Sequence, residues 1–266
     1  MQTLPLGDPQ WFTTFPHRVS PITDEWLAGL LLRCDEANDW SSGTTYRSLR
    51  EDTPLERLGS GPQFMVMPAA LLDPLAQLLL IPEPSLLTTT YHAELARLYD
   101  TAHPYGGLLS PQYTFHVCPA CVAHARLLTR TLVWPSLRSC PLHQIELCTT
   151  CQCRARLRLF SGKTAPFTCA ACGLDWGDLP HRQISRTWAR QERQLGDLYE
   201  YFLTEASPRH LAYATEILRQ QQKETSGLSW REHPKVIPYR KNFSLGYLVV
   251  RLVAVGLSLH DIRSYW

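Results

Sequence analysis

The sequence predicts a mainly helical fold with a small amount of β structure. Three observations support this prediction. Eight of the nine cysteines lie between His116 and Trp176, apolar residues recur at intervals of three and four on both sides of that stretch, and side chains within it alternate at period two. The chain therefore divides into an N-terminal arm and helical region at 1–115, a double zinc-binding centre at 116–180 and a C-terminal helical region at 181–266.

The charge balance limits how the protein can contact nucleic acid. Its 266 residues include 26 lysines and arginines against 24 aspartates and glutamates, which leaves a formal net charge of +2. A protein that coats nucleic acid through its overall field carries a larger excess, so any contact with DNA must be local. No apolar run approaches the roughly 20 residues of a membrane span, and the first residues lack the apolar run of a signal peptide. We expect a cytoplasmic protein without a membrane partner.

The N-terminal region begins with an extended arm, because four of the first 21 residues are proline and proline resists helix formation. Aromatic residues of the arm either pack on the first helix or bind a partner; they are Trp11, Phe12 and Phe15. Thr23 is the predicted N-cap of that helix, with Asp24 and Glu25 in its first turn. Its apolar face is predicted to contain Trp26, Leu27, Leu30 and Leu31. Cys34, far from any other cysteine, is expected to be a small buried residue near the helix end.

A second short helix is predicted around Thr45 to Leu49, after the turn Ser41-Ser42-Gly43. Two helices joined by a glycine-containing turn could form a helix-turn-helix, in which the second helix contacts DNA. The candidate nucleic-acid contacts are then Tyr46, Arg47 and Arg50. A plain helical pair has the same pattern, so that alternative stays open. Two further helices are predicted at 68–80 and 85–100, the second with Leu86, Tyr91, Leu95 and Leu98 in the core.

Four ligand pairs, each with two intervening residues, identify the cysteine-rich centre as metal-binding. They are Cys118-Pro-Ala-Cys121, Cys140-Pro-Leu-His143, Cys148-Thr-Thr-Cys151 and Cys169-Ala-Ala-Cys172. This spacing suits one tight turn that directs both side chains at a single tetrahedral zinc ion. In chain order the pairs make two structural Zn²⁺ sites, the first of Cys118, Cys121, Cys140 and His143 and the second of Cys148, Cys151, Cys169 and Cys172. Four protein ligands leave no open position for water, so we expect no enzyme.

Several alternatives to these ligand sets remain open. Cys153 could displace either cysteine of the third pair, and His116 or His124 could compete with His143, because each lies within reach of the same turn. The pairs could also be cross-braced, with the first joined to the third and the second to the fourth. Disulfides would need an oxidising compartment, which the start of the sequence does not indicate.

The second site has the pattern of a zinc ribbon hairpin. Residues 154–160 alternate at period two, residues 161–163 make a turn, and residues 166–169 return. Three guanidinium groups would then project from one face and could follow phosphates, those of Arg154, Arg156 and Arg158. A strand face that only contacts solvent has the same pattern, and this alternative interpretation stays open. The first site is instead expected to carry a short helix at 122–130.

The C-terminal region is predicted to consist of helices. Four helix starts are indicated by capping residues or by proline, at Ser185, Pro208, Ser244 and Ser258. Gly256 ends the third helix, and Ser258 with Asp261 forms a capping box for the last one. The last two helices either form an interaction hairpin or close the core.

The order CPxC, a tryptophan thirteen residues later, CPxH, CxxC and CxxCG resembles the zinc-binding centre of the TniQ family, whose larger relatives include TnsD. The segment from Asp24 to Arg33 is similar to the helix that opens the domain of that family, and the resemblance covers about residues 15–176. Two positions depart from the family pattern, since Gln144 and Gln152 stand where glycines commonly follow a ligand. They bear on the shape of the second and third ligand turns, not on the set of ligands.

Proteins of the TniQ family select targets for transposition. The resemblance implies an adaptor that links target DNA, or an RNA-guided CRISPR-type complex bound to it, to a TnsC-like AAA+ regulator of a transposase. A rival hypothesis is an autonomous sequence-specific DNA-binding zinc protein that uses the N-terminal helical pair and the ribbon arginines. A third, weaker hypothesis is a purely structural scaffold.

Overall fold

The computed structural model of the protein describes residues 15–52, 69–98, 116–134, 137–224 and 245–264. The α-helices in these ranges are α1 (Leu27–Ala37), α2 (Thr44–Asp52), α3 (Ala69–Leu79), α4 (Glu83–Leu87), α5 (His92–Leu98), α6 (Pro119–Ala125), α7 (Arg186–Thr204), α8 (Pro208–Glu224), α9 (Leu245–Ala254) and α10 (Leu259–Ser264). Two 3₁₀ turns lie at Arg130–Val133 and Trp176–Asp178. Isolated bridges are the β pairing found in this part of the chain. The predicted mainly helical fold with a small β component is confirmed.

Helix α1 begins later than the sequence predicts, so the proposed N-cap at Thr23 is wrong. Asp24 has a positive φ of 59°, which a helical first turn does not allow. Glu25 instead forms a bridge with Thr129, and the backbone N–H of Trp26 donates to the carbonyl of Leu128 at 2.7 Å. Backbone groups that the prediction assigned to a first helical turn therefore attach α1 to the metal centre. The predicted apolar face and Cys34 are buried, as expected.

The turn between α1 and α2 is held by the carboxylate of Asp35, a fully buried residue on α1. Its two oxygens accept hydrogen bonds from the backbone N–H groups of Gly43, at 2.6 Å, and Thr45, at 2.7 Å. Gly43 directly precedes α2 and Thr45 lies in its first turn, where backbone N–H groups have no intrahelical acceptor. Asp35 therefore caps the second helix from the first and fixes the angle between them.

The predicted helix at 85–100 is divided into α4 and α5 in the structure. The carbonyl of Thr89 accepts a hydrogen bond from the backbone N–H of Leu27 at 2.9 Å, which diverts it from a helical ladder. The hydroxyls of Thr89 and Thr90 bond back to carbonyls three residues earlier, and such local bonds compete with helix. The predicted core positions of this segment, Leu86, Tyr91, Leu95 and Leu98, are all buried. Helix α3 matches the prediction for 68–80 closely.

The C-terminal helices pack against the metal centre and also against α5 of the N-terminal region, where Arg97 donates to the carbonyl of Leu203 at 2.6 Å. Ser185 caps α7, and Ser258 with Asp261 forms the expected capping box at α10. Trp134 of the metal centre stacks on Tyr199 of α7, with ring centroids 4.4 Å apart. Buried apolar residues from all three predicted regions join one contiguous core. The predicted cap Ser244 lies outside the described residues. No described helix is long and apolar enough to cross a membrane.

Candidate metal centres

The first cluster contains the four residues that the sequence predicts. The ligand atoms of Cys118, Cys121, Cys140 and His143 all lie within 4.8 Å of one another. Cys118 directly precedes α6 and Cys121 lies in its first turn, whereas Cys140 and His143 share a tight turn. The described helix α6 ends at Ala125, earlier than the predicted helix at 122–130, because Arg126 adopts a left-handed conformation.

The distances in the first cluster fit a tetrahedral zinc ion. Zn–S bonds of about 2.3 Å and Zn–N bonds of about 2.0–2.1 Å give tetrahedral edges of about 3.8 Å between two sulfurs and about 3.6 Å between sulfur and nitrogen. The sulfurs of Cys121 and Cys140 are 3.7 Å apart. The Nδ1 atom of His143 lies 3.3–3.5 Å from the three sulfurs. The four atoms are thus already placed at the corners that a zinc ion requires.

The second cluster differs from the predicted set at one position. It contains Cys151, Cys153, Cys169 and Cys172, so Cys153 takes the place assigned to Cys148. The sulfur of Cys151 is 3.6 Å from that of Cys172, and the sulfur of Cys153 is 3.7 Å from that of Cys169. These separations again match the edges of a tetrahedral zinc–thiolate site. The ligands come from adjacent pairs in chain order, so the arrangement in both clusters is sequential and not cross-braced.

Cys148 is kept away from the second cluster by its backbone. It pairs with Val117 through two hydrogen bonds of 2.8 and 2.9 Å, beside the first cluster. Its thiol points towards the carbonyl of Pro180, 3.6 Å away. The sequence rule of two intervening residues therefore selected the wrong partner for Cys151, which pairs with a cysteine only two positions later.

Three of the four ligand turns share one backbone conformation at the residue that follows the second ligand. Gln144, Arg154 and Gly173 all have positive φ, at 53°, 68° and 74°. Each N–H donates to the carbonyl of the first ligand in its turn, at 2.8, 2.8 and 2.9 Å. This left-handed position favours glycine, yet two of the three residues carry a side chain. In the third ligand turn the left-handed position is Arg154, which follows Cys153. Gln152, which stands where the TniQ pattern has a glycine, therefore needs no left-handed conformation.

The thiols of each cluster are electrostatically unequal. In the first, hydrogen bonds from Cys118 and Cys121 lower the pKa of Cys140 to about 2, although burial opposes its ionisation. In the second, burial opposes ionisation of Cys169, but backbone N–H groups of Ala171 and Cys172 donate to its sulfur and lower its pKa to about 7. Burial raises the pKa of Cys151 to about 12. Thiolates packed this closely repel one another, and a bound divalent cation would offset that repulsion.

The two clusters differ in their exposure to solvent. All three cysteines of the first are buried, with at most 2% of their surface exposed. In the second, Cys151 and Cys169 are buried, whereas Cys153 and Cys172 are exposed. A competing chelator or oxidant can therefore reach two ligands of the second cluster directly, but must wait for local opening of the first.

Neither of the two competing histidines joins a cluster. His116 is half-buried, and burial lowers the pKa of its imidazole. His124 is exposed on α6. Both lie outside the group of ligand atoms formed with His143.

The two clusters are packed against each other and against α1. The Cα atom of Gly177, after the second cluster, lies so close to Ala123 of α6 that an added Cβ would meet Ala123 at 3.0 Å. Arg126, which follows α6, forms salt bridges to Asp175 at 2.7 Å and to Glu36 of α1 at 3.0 Å. The clusters therefore act as one joined unit on the N-terminal helices.

The predicted ribbon hairpin is replaced by two smaller turns. Residues 154–157 pair with residues 149–151 and not with 166–169, as seen in the bridge between Thr150 and Arg156. Thr168 pairs with Asp175 in the second turn. The difference follows from the ligands, because each pair of cysteines closes its own hairpin. The three predicted arginines are nevertheless exposed and alternate with buried Leu157 and Leu159.

Of the three nucleic-acid contacts predicted on α2, Tyr46 is wrong and Arg47 is exposed. Tyr46 is only 5% exposed and its ring stacks on Phe160 at 4.8 Å, so it cannot contact DNA. Arg47 is exposed and donates to Thr44 Oγ1 at 3.0 Å. The side chain of Arg50 lies outside the described residues. The loop at 159–164 covers the turn before α2, with Ser42 Oγ donating to the carbonyl of Leu159 at 2.8 Å.

Sequence reasoning missed Glu192, a buried carboxylate on α7. Its Oε2 atom accepts hydrogen bonds from the backbone N–H groups of Arg138, at 2.9 Å, and Ser139, at 3.0 Å, just before Cys140. Its Oε1 atom accepts from the indole N–H of Trp188 at 3.1 Å. An acidic residue on the apolar side of an amphipathic helix is the pattern that could have identified it.

A scan of the chain against models of protein families found no match, and a search of curated proteins found none either. The resemblance to the TniQ family therefore stays a prediction made from the residues that carry it.

Proposed function

We propose that both clusters bind zinc and that both sites are structural. Thiolate-rich sets with one or no imidazole are typical of structural zinc. Each cluster supplies four protein ligands, so an ion held there has no position left for a reacting water. Zinc chemistry then contributes folding energy instead of catalysis, and we infer that the protein is not an enzyme.

The function that we infer is target-site selection in transposition. In this role the protein is an adaptor that links target DNA, or an RNA-guided CRISPR-type complex bound to it, to an AAA+ regulator of a transposase. The proposal rests on the ordered ligand pattern from Cys118 to Gly173 and its resemblance to the TniQ family. The geometry is compatible with it, since the metal centre contacts α1 through Arg126 and α7 through Glu192 and so joins the N-terminal and C-terminal helices.

The adaptor role is tested by retention on the AAA+ regulator. The zinc-loaded protein is passed over the immobilised ATPase in nucleotide, with and without duplex DNA. We expect retention that depends on zinc loading, while a denatured sample serves as the control for nonspecific capture. If the ATPase fails to retain the protein under every nucleotide condition, the adaptor proposal is wrong.

A second candidate function is autonomous, sequence-specific DNA binding by a zinc protein. One observation favours it. Four arginines around the second cluster are exposed, and no salt bridge joins them to an acidic group in the described ranges; they are Arg47, Arg154, Arg156 and Arg158. The burial of Tyr46 removes one predicted base contact. Tight binding to one duplex over a scrambled duplex, without the ATPase, would support this candidate over the adaptor.

A further inference from the structure

Helix α7 carries a row of arginines that no predicted site includes. Arg186, Arg190 and Arg193 are spaced by four and three residues, so they project from one face of the helix. All three are exposed. We propose that this row, named here the α7 arginine row, binds the phosphodiester backbone of a nucleic acid. The inference rests on the nucleic-acid side of the proposed function and adds a second surface to it.

The row begins where positive charge is unfavourable to the helix, because Arg186 is the first residue of α7. The N-terminal end of a helix carries a partial positive charge, which favours acidic residues in the first turn. The first turn of α7 contains none. Arginines four residues apart also repel each other along the helix. Within the described ranges, no salt bridge joins the three arginines to an acidic group. An anionic partner would offset both costs.

The segment before α7 and the first half of the helix are hydrogen-bonded to the backbone around the first metal cluster. The carbonyl of Arg182 accepts from the backbone N–H of Glu146 at 2.9 Å, and the N–H of Ile184 donates to the carbonyl of Gln144 at 3.1 Å. Two turns further on, Glu192 binds the backbone before Cys140. Arg182 and Ile184 precede the helix, and Glu192 is buried on a different face from the exposed arginines. The part of the helix that carries the row is therefore attached to the backbone around the first metal cluster.

The length of the row indicates an extended partner instead of a single phosphate. A rise of about 1.5 Å per residue spreads the three arginines over about 10 Å along the helix. Over that distance duplex DNA presents about three phosphates on each strand. Convergent side chains would be needed to hold one small phosphate compound. Asp197 and Glu200 follow on the same face, so the positive surface ends after the first half of the helix.

The test compares two variants that remove equal charge. In Arg186→Gln/Arg190→Gln the row is disrupted, and in Arg18→Gln/Arg209→Gln two exposed arginines elsewhere are lost. Binding of each zinc-loaded variant to a labelled 20-base-pair duplex and to a single-stranded RNA of equal length is measured by fluorescence anisotropy over a range of salt concentrations. The two probes distinguish DNA from RNA as the source of the backbone.

We expect the row variant to bind the preferred probe at least about tenfold more weakly at low salt. Its log-log salt slope should fall in magnitude by about 1.8 on duplex DNA or about 1.4 on the RNA, because two phosphate contacts are lost. Its thermal unfolding should match the wild type or improve slightly, since glutamine removes repulsion. The control variant should keep the wild-type slope.

Four results would overturn the inference. The row variant could bind like the control, the wild type could fail to bind either probe, or the row variant could lose stability, which would assign the arginines a structural role. Loss of binding confined to Arg154→Gln/Arg156→Gln would also overturn it while leaving a nucleic-acid role intact. None of these results decides the adaptor role, which retention on the ATPase tests separately.

Discussion

The carboxylate of Glu192 and Ser139 are joined by two hydrogen bonds, one from the serine N–H at 3.0 Å and one from its hydroxyl at 3.2 Å. Glu192 lies on α7, and Ser139 directly precedes the ligand Cys140. A helix of the C-terminal region thus fixes the backbone of the first metal cluster from 53 residues away in sequence. Metal binding at this cluster should therefore depend on a residue that is not a ligand.

We predict that Glu192→Gln destabilises the zinc-loaded protein by about 1–3 kcal/mol, because an amide in place of a charged acceptor leaves buried N–H groups poorly paired. Urea unfolding measures the change. Zinc affinity of the first site should also fall, because Glu192 holds the backbone of Arg138 and Ser139 that leads into the ligand Cys140. Glu200→Gln, at an exposed position of the same helix, is the control and should behave like the wild type. Equal stability of the two variants would refute the role of Glu192.

The exchange of Cys148 for Cys153 in the second cluster has a direct consequence. Cys153→Ala should reduce bound zinc from about two ions per chain to about one, or weaken the second ion by several orders of magnitude, because a ligand is removed. Cys148→Ala should keep about two ions, since its thiol faces the carbonyl of Pro180. Metal analysis after dialysis against a mild chelator measures both. The reverse pattern would restore the set that sequence spacing favours.

The unequal exposure of the clusters predicts stepwise loss of zinc. A chromogenic chelator should remove the ion of the second site first, because Cys153 and Cys172 are exposed. The first site should release its ion more slowly, since its three cysteines are buried and only His143 is partly exposed. Two kinetic phases of equal amplitude are expected, and the fast phase should be absent in Cys153→Ala. A single phase in the wild type would contradict this order.

The left-handed residue after His143 offers a stabilising substitution. A side chain at positive φ costs about 1–2 kcal/mol, and glycine recovers part of this while gaining freedom in the unfolded chain. Gln144→Gly should therefore raise the stability of the zinc-loaded protein by up to about 1 kcal/mol, measured by urea unfolding. Leu142→Gly, in the same turn at an exposed position with ordinary φ, should lower stability slightly. A loss of stability in Gln144→Gly would show that its side chain matters more than the strain.

Local patterns predicted much of the fold. Three kinds of feature were predicted because they depend on residues close in sequence. They are the caps at Ser185 and Ser258, the apolar spacing of α7 and α8, and the first ligand set. The start of α1 could not be predicted, because the backbone of Glu25 and Trp26 pairs with residues 128–129. Such long-range pairing leaves no trace in periodicity.

The candidate site shows the same limit. Cys148 and Cys153 both lie within reach of Cys151, and only the pairing of Cys148 with Val117 decides between them. The sequence predicts Tyr46 as a DNA contact on the surface of α2. In the structure its ring is covered by that of Phe160, which lies 114 positions away. Burial of this kind depends on how distant segments meet, and local sequence does not encode it.

X-ray absorption at the zinc edge of the wild-type protein tests most directly whether both centres are closed zinc sites. Seven cysteines and one histidine shared by two ions give an average of 3.5 sulfur and 0.5 nitrogen ligands per zinc, with Zn–S bonds of about 2.3 Å. We predict this average in a sample that contains two zinc ions per chain. An oxygen ligand, or an average near three sulfurs or fewer, would mean that a site is open to water and would contradict the structural assignment.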